Sequence, residues 1–180
     1  VIMAAGKGTR MKSRTPKVLQ KLAGRALLHH VLDTARALQA RQAVIITGHG
    51  ATEVEATCAV DTGANTPLTL KCVRQEPQLG TGHAVQQAVP ALADDGLVLI
   101  LSGDVPLTQP ATLYHLLAAS AGTRLALLTL DMPNPTGYGR VVRDVHGAVR
   151  GIVEHKDASV ERRAIAGIYG GIMAVPAVRR

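Results

Sequence analysis

Uninterrupted apolar segments are the feature of this sequence that most limits its fold. Residues 97–101 (LVLIL) contain no polar side chain, and residues 43–47 (AVIIT) contain only the threonine at their end. Strands that are apolar on both faces have to be covered on both faces, as they are in parallel sheets. Residues 27–38, which precede the AVIIT segment, repeat apolar side chains at helical spacing. This order predicts an α/β fold, with a predominantly parallel sheet and helices on both faces.

The same alternation continues through all 180 residues, with neither an internal repeat nor a linker. Residues 1–5 are predicted as the first strand, and later strands are predicted at residues 68–73, 125–130, 139–143, 149–153 and 171–175. Further helices are predicted at residues 52–59, 81–91 and 110–119. The last four strands follow one another closely, so this part of the sheet is expected to be mixed. The length is that of a single domain.

Composition and cysteine content narrow the class of protein. Hydrophobic residues make up 47% of the chain and charged residues 18%, which favours a globular protein with a core of Ala, Val, Leu and Ile. No apolar run has the length of a membrane span, and no secretory signal opens the sequence. Cys58 and Cys72 fit buried thiols in a reducing cytoplasm better than a disulfide framework or a zinc site. We expect a cytoplasmic protein without a membrane partner.

Positive charge is concentrated at the start of the chain, whose formal net charge is +7. The lysines and arginines that precede the first acidic residue, Asp33, are Lys7, Arg10, Lys12, Arg14, Lys17, Lys21 and Arg25. Such a block is typical of a surface that binds a polyanion, although charge alone slightly favours a solvated loop. Nucleic acid is disfavoured as the polyanion, because three Tyr without Phe or Trp leave little for bases to stack on.

The first candidate site is the glycine loop after the first strand. Gly6 and Gly8 let backbone N–H groups approach phosphate oxygens, and Arg10 and Lys17 supply cations for a triphosphate. Two familiar patterns are excluded, because the Rossmann fingerprint needs glycine at Met11 and a Walker motif needs Ser or Thr at Gly8. A glycine loop alone is as often a tight turn, but the cations at this spacing favour a nucleotide site.

Asp104 is the second candidate, because it follows the 97–101 strand directly. A carboxylate in this position can hold Mg²⁺, which takes its other ligands from water and substrate phosphates. A role as cap of the next helix is disfavoured, since that helix is predicted to start at Pro110. Ligands of such sheets bind at the carboxyl ends of the strands, so the glycine loop, residues 75–82 and Asp104 are predicted to converge at one edge.

Two further segments carry polar side chains suited to a ligand. Residues 75–83 (QEPQLGTGH) contain two glutamines, whose amides offer both a donor and an acceptor to the edge of a pyrimidine. Residues 135–140 (PTGYGR), with Glu154 further along, offer a free backbone amide and a carboxylate to sugar hydroxyls. Without further context, a polar strand-to-helix connection explains residues 75–83 better. The alternative for residues 135–140 and Glu154 is a hairpin turn and a charged surface run.

Six motifs taken together resemble those of one protein family. In chain order they are AAGKGTRM, PKVL, EPQLGTGHA, GDVPL, PTGYGRVVR and GIVEHKDA. Over essentially its whole length, the chain resembles the uridyltransferase domain of the bacterial bifunctional N-acetylglucosamine-1-phosphate uridyltransferase/glucosamine-1-phosphate acetyltransferases. AAGKGTRM alone is shared by other sugar nucleotidyltransferases, whereas LGTGHA, PTGYGR and EHKDA narrow the resemblance to this family. It implies a Rossmann-like nucleotidyltransferase fold.

The resemblance also implies roles for individual residues. The backbone that would cradle the nucleotide belongs to Ala4, Ala5, Gly6 and Gly8, and the residues that would hold uracil are Gln75, Gln78, Gly80 and Thr81. Arg10 and Lys17 would bind phosphates and stabilise the departing pyrophosphate, and Asp104 would bind Mg²⁺. Gly139 and Glu154 would contact the amino sugar, together with Tyr169, which stands where the family has an asparagine.

The implied reaction converts UTP and N-acetylglucosamine-1-phosphate into UDP-N-acetylglucosamine and pyrophosphate, with Mg²⁺, for cell-wall and lipopolysaccharide precursors. Two alternatives stay open: a related enzyme with another sugar or base, which Tyr169 favours, and an inactive nucleotide-binding module. The family continues past Arg180 with further sugar contacts, a second metal ligand and a β-helix acetyltransferase domain that assembles trimers. We therefore expect residues 1–180 to be a nucleotidyltransferase domain without its C-terminal portion, and a homotrimer only where the acetyltransferase domain is present.

Overall fold

A computed structural model describes residues 1–8, 11–61 and 68–177 of the protein. The strands in this part of the chain are β1 (Ile2–Met3), β2 (Lys21–Leu22), β3 (Arg25–Ala26), β4 (Gln42–Thr47), β5 (Thr69–Arg74), β6 (Leu97–Ser102), β7 (Ala126–Asp131), β8 (Arg140–Arg143), β9 (Val149–Val153) and β10 (Gly167–Pro176). The helices are α1 (Leu27–Ala37), α2 (Ala51–Ala59), α3 (Thr81–Ala88), α4 (Pro110–Ser120) and α5 (Val160–Arg163).

One large sheet organises the described residues. Its first four strands are parallel and lie in the order β5-β4-β1-β6. β10 pairs antiparallel with β6, β7 and β8, and β9 follows β8. β2 and β3 form a separate hairpin. The predicted α/β fold is confirmed, including the parallel first part and the mixed later part.

The core lies on both faces of the parallel strands. Ala43 and Ile45 of β4 pack in a cluster with side chains of α1, α2 and α4. Val44 and Ile46, which point the other way, pack with side chains of α3. Burying a valine or isoleucine stabilises a fold by roughly 1.5–3 kcal/mol, so this apolar strand requires a helix layer on each side.

Three sequence predictions are wrong in detail. The first strand, predicted at residues 1–5, is confined to Ile2–Met3, because the chain then leaves the sheet into the glycine loop. α3 ends at Ala88, short of the predicted residue 91, because Pro90 has no N–H with which to continue an α-helix. Cys58 is buried as predicted, but Cys72 is exposed, because β5 is an edge strand.

Other elements escaped prediction. β10 starts at Gly167, before the predicted residue 171, because a register shift between Tyr169 and Met173 interrupts its pattern. The β2–β3 hairpin is short and mostly exposed, so it carries no apolar signal. None of the described helices has the length and hydropathy needed to cross a bilayer. A cavity of about 680 Å³ opens at the amino ends of the parallel strands, beside Val1, Gln42 and Leu97, away from their carboxyl ends.

Candidate active site

The carboxyl ends of the parallel strands meet at one edge of the sheet, as predicted. Backbone hydrogen bonds connect the segments that follow neighbouring strands. The N–H of Gln75, after β5, donates to the carbonyl oxygen of Thr47 in β4 at 2.8 Å. The N–H of Gly103, after β6, donates to the carbonyl oxygen of Met3 in β1 at 2.9 Å. The glycine loop, residues 75–82 and Asp104 therefore share this edge.

Lys17 and Asp104 form an ion pair at the exit of β6, with side-chain exposures of 42% and 22%. Lys17 opens a short 3₁₀ turn whose next residue, Val18, is buried against Gly103: a Cβ added to Gly103 would lie 3.0 Å from Cγ1 of Val18. The glycine loop also contacts this turn, since a Cβ on Gly8 would lie 3.2 Å from Cβ of Lys17. The turn thus brings a cation, a carboxylate and the glycine loop together.

The site suits a hard cation whose coordination shell is completed by a bound ligand. Asp104 is not a helix cap, because the N-cap residue of α4 is Gln109. The described residues contain no group of three or more His, Cys, Asp or Glu side chains able to hold a metal. One carboxylate suits Mg²⁺, which usually keeps waters and binds substrate phosphates as well.

The 75–82 loop reaches the glycine loop through Gly48, at the exit of β4. A Cβ added to Gly48 would lie 2.5 Å from Nε2 of Gln78 and 2.9 Å from Cβ of Ala5. Only glycine leaves room for both side chains in this position. The structure thus brings Ala5 and Gln78, two of the predicted nucleotide-binding residues, to the same point.

Gln75 is placed differently from Gln78. Its side chain is only 3% exposed, and its Nε2 donates to the carbonyl oxygen of Gly80 at 2.9 Å. Gly80 has a φ of 101°, which favours glycine, and it precedes the first turn of α3, where Thr81 is exposed. Gln75 therefore supports the loop from the protein interior, while Gln78 and Thr81 lie at its surface.

The predicted sugar-binding residues lie together in the mixed part of the sheet. A Cβ on Gly139 would lie 3.6 Å from Oε1 of Glu154, and the N–H of Tyr169 donates to the carbonyl oxygen of Gly139 at 3.1 Å. The Tyr169 hydroxyl is buried without a partner among the described residues, and burial raises its pKa to about 12. Two residues on, the carbonyl oxygen of Gly171 accepts a hydrogen bond from Oγ of Ser102, beside Asp104.

Two supporting interactions had no signal in the sequence. The first is a fully buried arginine, Arg140, which is 1% exposed and donates to the carbonyl oxygens of Tyr138 and Arg163. Its Nη2 also lies 3.3 Å from Nδ1 of His155, next to Glu154. PTGYGR predicts a loop that contacts a sugar or a hairpin turn, and nothing local in it marks Arg140 as a buried anchor.

The second supporting interaction joins α2 to the last residues of β4 and β5. Glu55 on α2 accepts hydrogen bonds from both Nε and Nη2 of Arg74 at 2.8 Å, and from Oγ1 of Thr47 at 2.9 Å. The Arg74 guanidinium lowers the pKa of Glu55 to about 2, and Thr47 assists. The partners are far apart in sequence, so no spacing rule identifies them.

One predicted site residue cannot be placed. Arg10, predicted to bind phosphate, lies outside the described residues. The other predicted residues fall into two groups, one at the exits of the parallel strands and one around Gly139. Ser102 and Gly171 connect the two groups. The predicted residues thus form two neighbouring groups, one beside Lys17 and one beside Glu154.

Comparison with known proteins points the same way. Residues 1–168 match the family model described as MobA-like NTP transferase domain. The chain is 70% identical over 179 residues to the bifunctional protein GlmU of Acidovorax ebreus (strain TPSY), covering 99% of this chain and 38% of that protein. It is also 70% identical over 179 residues to the bifunctional protein GlmU of Polaromonas naphthalenivorans (strain CJ2), covering 98% and 38%. The chain thus spans well under half the length of these curated relatives.

Solved structures with low sequence identity share the fold. HddC from Yersinia pseudotuberculosis superimposes with a TM-score of 0.74 at 19% identity, covering 98% of this chain and 75% of that chain. A UDP-glucose pyrophosphorylase complexed with UDP-glucose superimposes with a TM-score of 0.79 at 16% identity, covering 97% and 74%. At these identities the likeness concerns the fold alone.

Proposed function

The chain belongs to the MobA-like NTP transferase domain family, and from that premise we propose that it transfers UMP from UTP to N-acetylglucosamine-1-phosphate. The products are UDP-N-acetylglucosamine and pyrophosphate. The observation that carries the proposal is the convergence of the glycine loop, Lys17 and Asp104 at one sheet edge. The six family motifs and the 70% identity to GlmU proteins support the choice of uridine and amino sugar.

The phosphates are bound at the start of the chain. In this proposal Ala4, Ala5, Gly6 and Gly8 present backbone N–H groups to the triphosphate, and Lys17 and Arg10 neutralise its charge. Fixed cations aimed at the leaving group stabilise the transition state more than the ground state, because charge builds up on the departing pyrophosphate. Lys17 is already held beside the glycine loop and has only to turn from Asp104 toward the phosphates.

Asp104 is the proposed ligand of Mg²⁺. When bound, the ion would neutralise charge on the reacting phosphate and on the leaving pyrophosphate. Asp104 supplies one hard oxygen at the exit of β6, and the phosphates and water supply the rest. The carboxylate also holds the ammonium of Lys17 in the nucleotide-free protein.

The sugar phosphate needs no general base, since its phosphate is an anion at neutral pH and attacks directly. The chain's task is then to hold it in line with the bond that breaks, and such positioning accounts for a large part of many enzymatic rates. Gly139, Glu154 and Tyr169 are proposed to orient the sugar. No covalent enzyme intermediate is involved.

A second candidate keeps the chemistry and changes the sugar. It rests on Tyr169, whose buried hydroxyl has no partner in the described part of the chain. The family that the motifs resemble has the smaller amide of asparagine at this position. A phenol that reaches further would suit a different set of sugar hydroxyls.

Pyrophosphate release tests these proposals. UTP, CTP, ATP and GTP are each combined with N-acetylglucosamine-1-phosphate, glucosamine-1-phosphate and glucose-1-phosphate, with and without Mg²⁺. We expect the fastest release from UTP with N-acetylglucosamine-1-phosphate and none without the metal. Equal rates with UTP and ATP would remove the uracil assignment, and a preference for glucose-1-phosphate would favour the second candidate. Nucleotide binding without release from any pair would indicate an inactive binding module.

The setting of the reaction follows from its substrates. We propose a cytoplasmic enzyme that supplies precursors of peptidoglycan and lipopolysaccharide, with nucleotide and sugar phosphate as its partners rather than nucleic acid or membrane. The free thiols Cys58 and Cys72 are compatible with a reducing compartment. A homotrimer is proposed only for a protein that carries the acetyltransferase domain.

A further inference from the structure

Gln75, His83 and Gln87 form a chain of hydrogen-bonding side chains beneath the 75–82 loop. Nε2 of Gln75 lies 2.9 Å from the carbonyl oxygen of Gly80 and 3.2 Å from Nδ1 of His83. On the other side of the imidazole, Nε2 of His83 lies 3.1 Å from Nε2 of Gln87. Gln75 is almost fully buried, so its amide cannot reorganise by turning to solvent.

The carbonyl of Gly80 and the imidazole of His83 together set the orientation of the Gln75 amide. A carbonyl oxygen only accepts, so the NH₂ end of Gln75 must face it. The second N–H of the same group then donates to Nδ1 of His83. The imidazole is therefore the tautomer with its proton on Nε2. Gln87, whose Nε2 lies against the same ring nitrogen, has to reverse its amide to accept from that proton.

Both N–H groups of Gln75 are thus committed to the protein, and its Oε1 is left as a pure acceptor. None of the residues in ranges 1–8, 11–61 and 68–177 donates a hydrogen bond to Oε1. Uracil presents a donor at N3, whereas cytosine presents an acceptor at N3. An acceptor that is fixed opposite N3 therefore binds uracil and repels cytosine.

We propose that His83 is a positioning residue for base selection: by accepting from Gln75, it holds Oε1 of that amide toward N3–H of uracil. This inference rests on the proposed uridine specificity and adds the group that enforces it. Without His83, one N–H of Gln75 loses its partner, and only the hydrogen bond to the Gly80 carbonyl still opposes the reversal that would present NH₂ to the base. A buried group left without a partner is costly, so the orientation depends on both acceptors.

Two substitutions with opposite geometry test the role of Nδ1. His83→Asn places a side-chain oxygen near the position of Nδ1, whereas His83→Gln places its amide near the position of Nε2 and leaves Gln75 without the acceptor. We expect His83→Asn to keep the wild-type ratio of CTP to UTP dissociation constants. We expect His83→Gln and His83→Ala to lower it about 3–10-fold, the usual effect of one hydrogen bond. His115→Ala, on the exposed face of α4, is the matched control and should leave the ratio unchanged.

Calorimetry with UTP and CTP in the presence of Mg²⁺ measures the ratio, and thermal unfolding checks that each variant is folded. A purely structural role would weaken both nucleotides equally and leave the ratio as it was. Equal ratios for His83→Asn and His83→Gln would overturn the inference, whichever of the two variants binds more tightly. If the wild-type chain itself shows no preference for UTP, the proposed function fails instead, so the two failures are distinguishable.

Discussion

Lys17 forms an ion pair with Asp104, the residue that we propose as the Mg²⁺ ligand, although Lys17 precedes β6 in sequence and Asp104 follows it. Both side chains are partly exposed, and ion pairs of this kind contribute about 0–1 kcal/mol. The pair is therefore easily exchanged. We infer that Lys17 holds the carboxylate in the nucleotide-free protein and that an incoming triphosphate with its cation separates the two.

Replacing Lys17 with alanine separates its proposed role at the leaving group from its role as the ion-pair partner of Asp104. We expect Lys17→Ala to lower the rate with saturating UTP by about 10²–10³-fold, because one fixed cation at the leaving group is lost. Without nucleotide, the same variant should bind Mn²⁺ more tightly than wild type, because Asp104 no longer has a competing cation. Stopped pyrophosphate assays and Mn²⁺ titration measure the two effects. Lys21→Ala, an exposed lysine on β2, is the control, and unaltered Mn²⁺ affinity in Lys17→Ala would contradict the exchange.

Asp104→Asn should abolish turnover while leaving UTP binding detectable. Asparagine keeps the shape of the side chain but is a poor ligand for Mg²⁺, and phosphate contacts to the glycine loop do not depend on the carboxylate. Nucleotide binding by calorimetry and pyrophosphate release together provide the readout. Substantial Mg²⁺-dependent activity in this variant would mean that the metal binds elsewhere.

Gly48→Ala should disturb the nucleotide site without unfolding the protein. The added Cβ would meet Nε2 of Gln78 at 2.5 Å and Cβ of Ala5 at 2.9 Å, so the two loops have to separate. We expect a higher KM for UTP and a rate lowered by up to about 10²-fold, as for other small misplacements of a reacting group. Gly151→Ala in β9 meets nothing within 4 Å and is the matched control. Wild-type kinetics for Gly48→Ala would show that this contact does not shape the site.

The Glu55–Arg74 pair makes stability depend on pH in the acid range. The folded-state pKa of Glu55 is lowered from 4.5 to about 2, so its contribution is present above pH 4.5 and is lost as the pH falls toward 2. Urea unfolding should therefore show Glu55→Gln less stable than wild type at pH 7, with a smaller difference at pH 3. Glu53→Gln, on the same helix, should show no such convergence. A difference that stays constant between the two pH values would rule out the ion pair as its cause.

Tyr169→Phe tests the sugar half of the site. The hydroxyl is buried without a partner in the described residues, so its removal should leave the unliganded protein as stable as before or slightly more stable. If the hydroxyl bonds the sugar, KM for the sugar phosphate should rise about 3–10-fold while KM for UTP stays constant. Tyr114→Phe on α4 controls for loss of a phenol elsewhere. A KM for sugar phosphate equal to that of wild type would remove Tyr169 from the binding site.

The parts of the site that could be predicted from sequence are the residues that directly follow a parallel strand. Residues 43–47 and 97–101 are apolar enough to identify parallel strands, and the carboxyl ends of such strands share one edge. This rule predicts that Asp104 and the glycine loop lie together. It predicts the same edge for residues 75–82.

The parts that could not be predicted depend on partners distant in sequence. Arg140 reaches Arg163, and Arg74 reaches Glu55, across spacings that follow no helical or strand period. The two glutamines of the 75–82 loop have the same chemistry in sequence, yet Gln75 is buried beneath the loop and Gln78 is exposed. Only the fold distinguishes them.

The irregularity in β10 between Tyr169 and Met173 lies between the two proposed ligand sites. Past the irregularity, the strand is anchored to β6 and therefore to the exit that carries Asp104. Before the irregularity, Tyr169 bonds Gly139 on the sugar side. Adding or removing one residue here would shift Tyr169 relative to Met173, and with it the proposed sugar side relative to the proposed nucleotide side. The length of this short segment thus sets the reach between the proposed nucleotide and sugar sites in this chain.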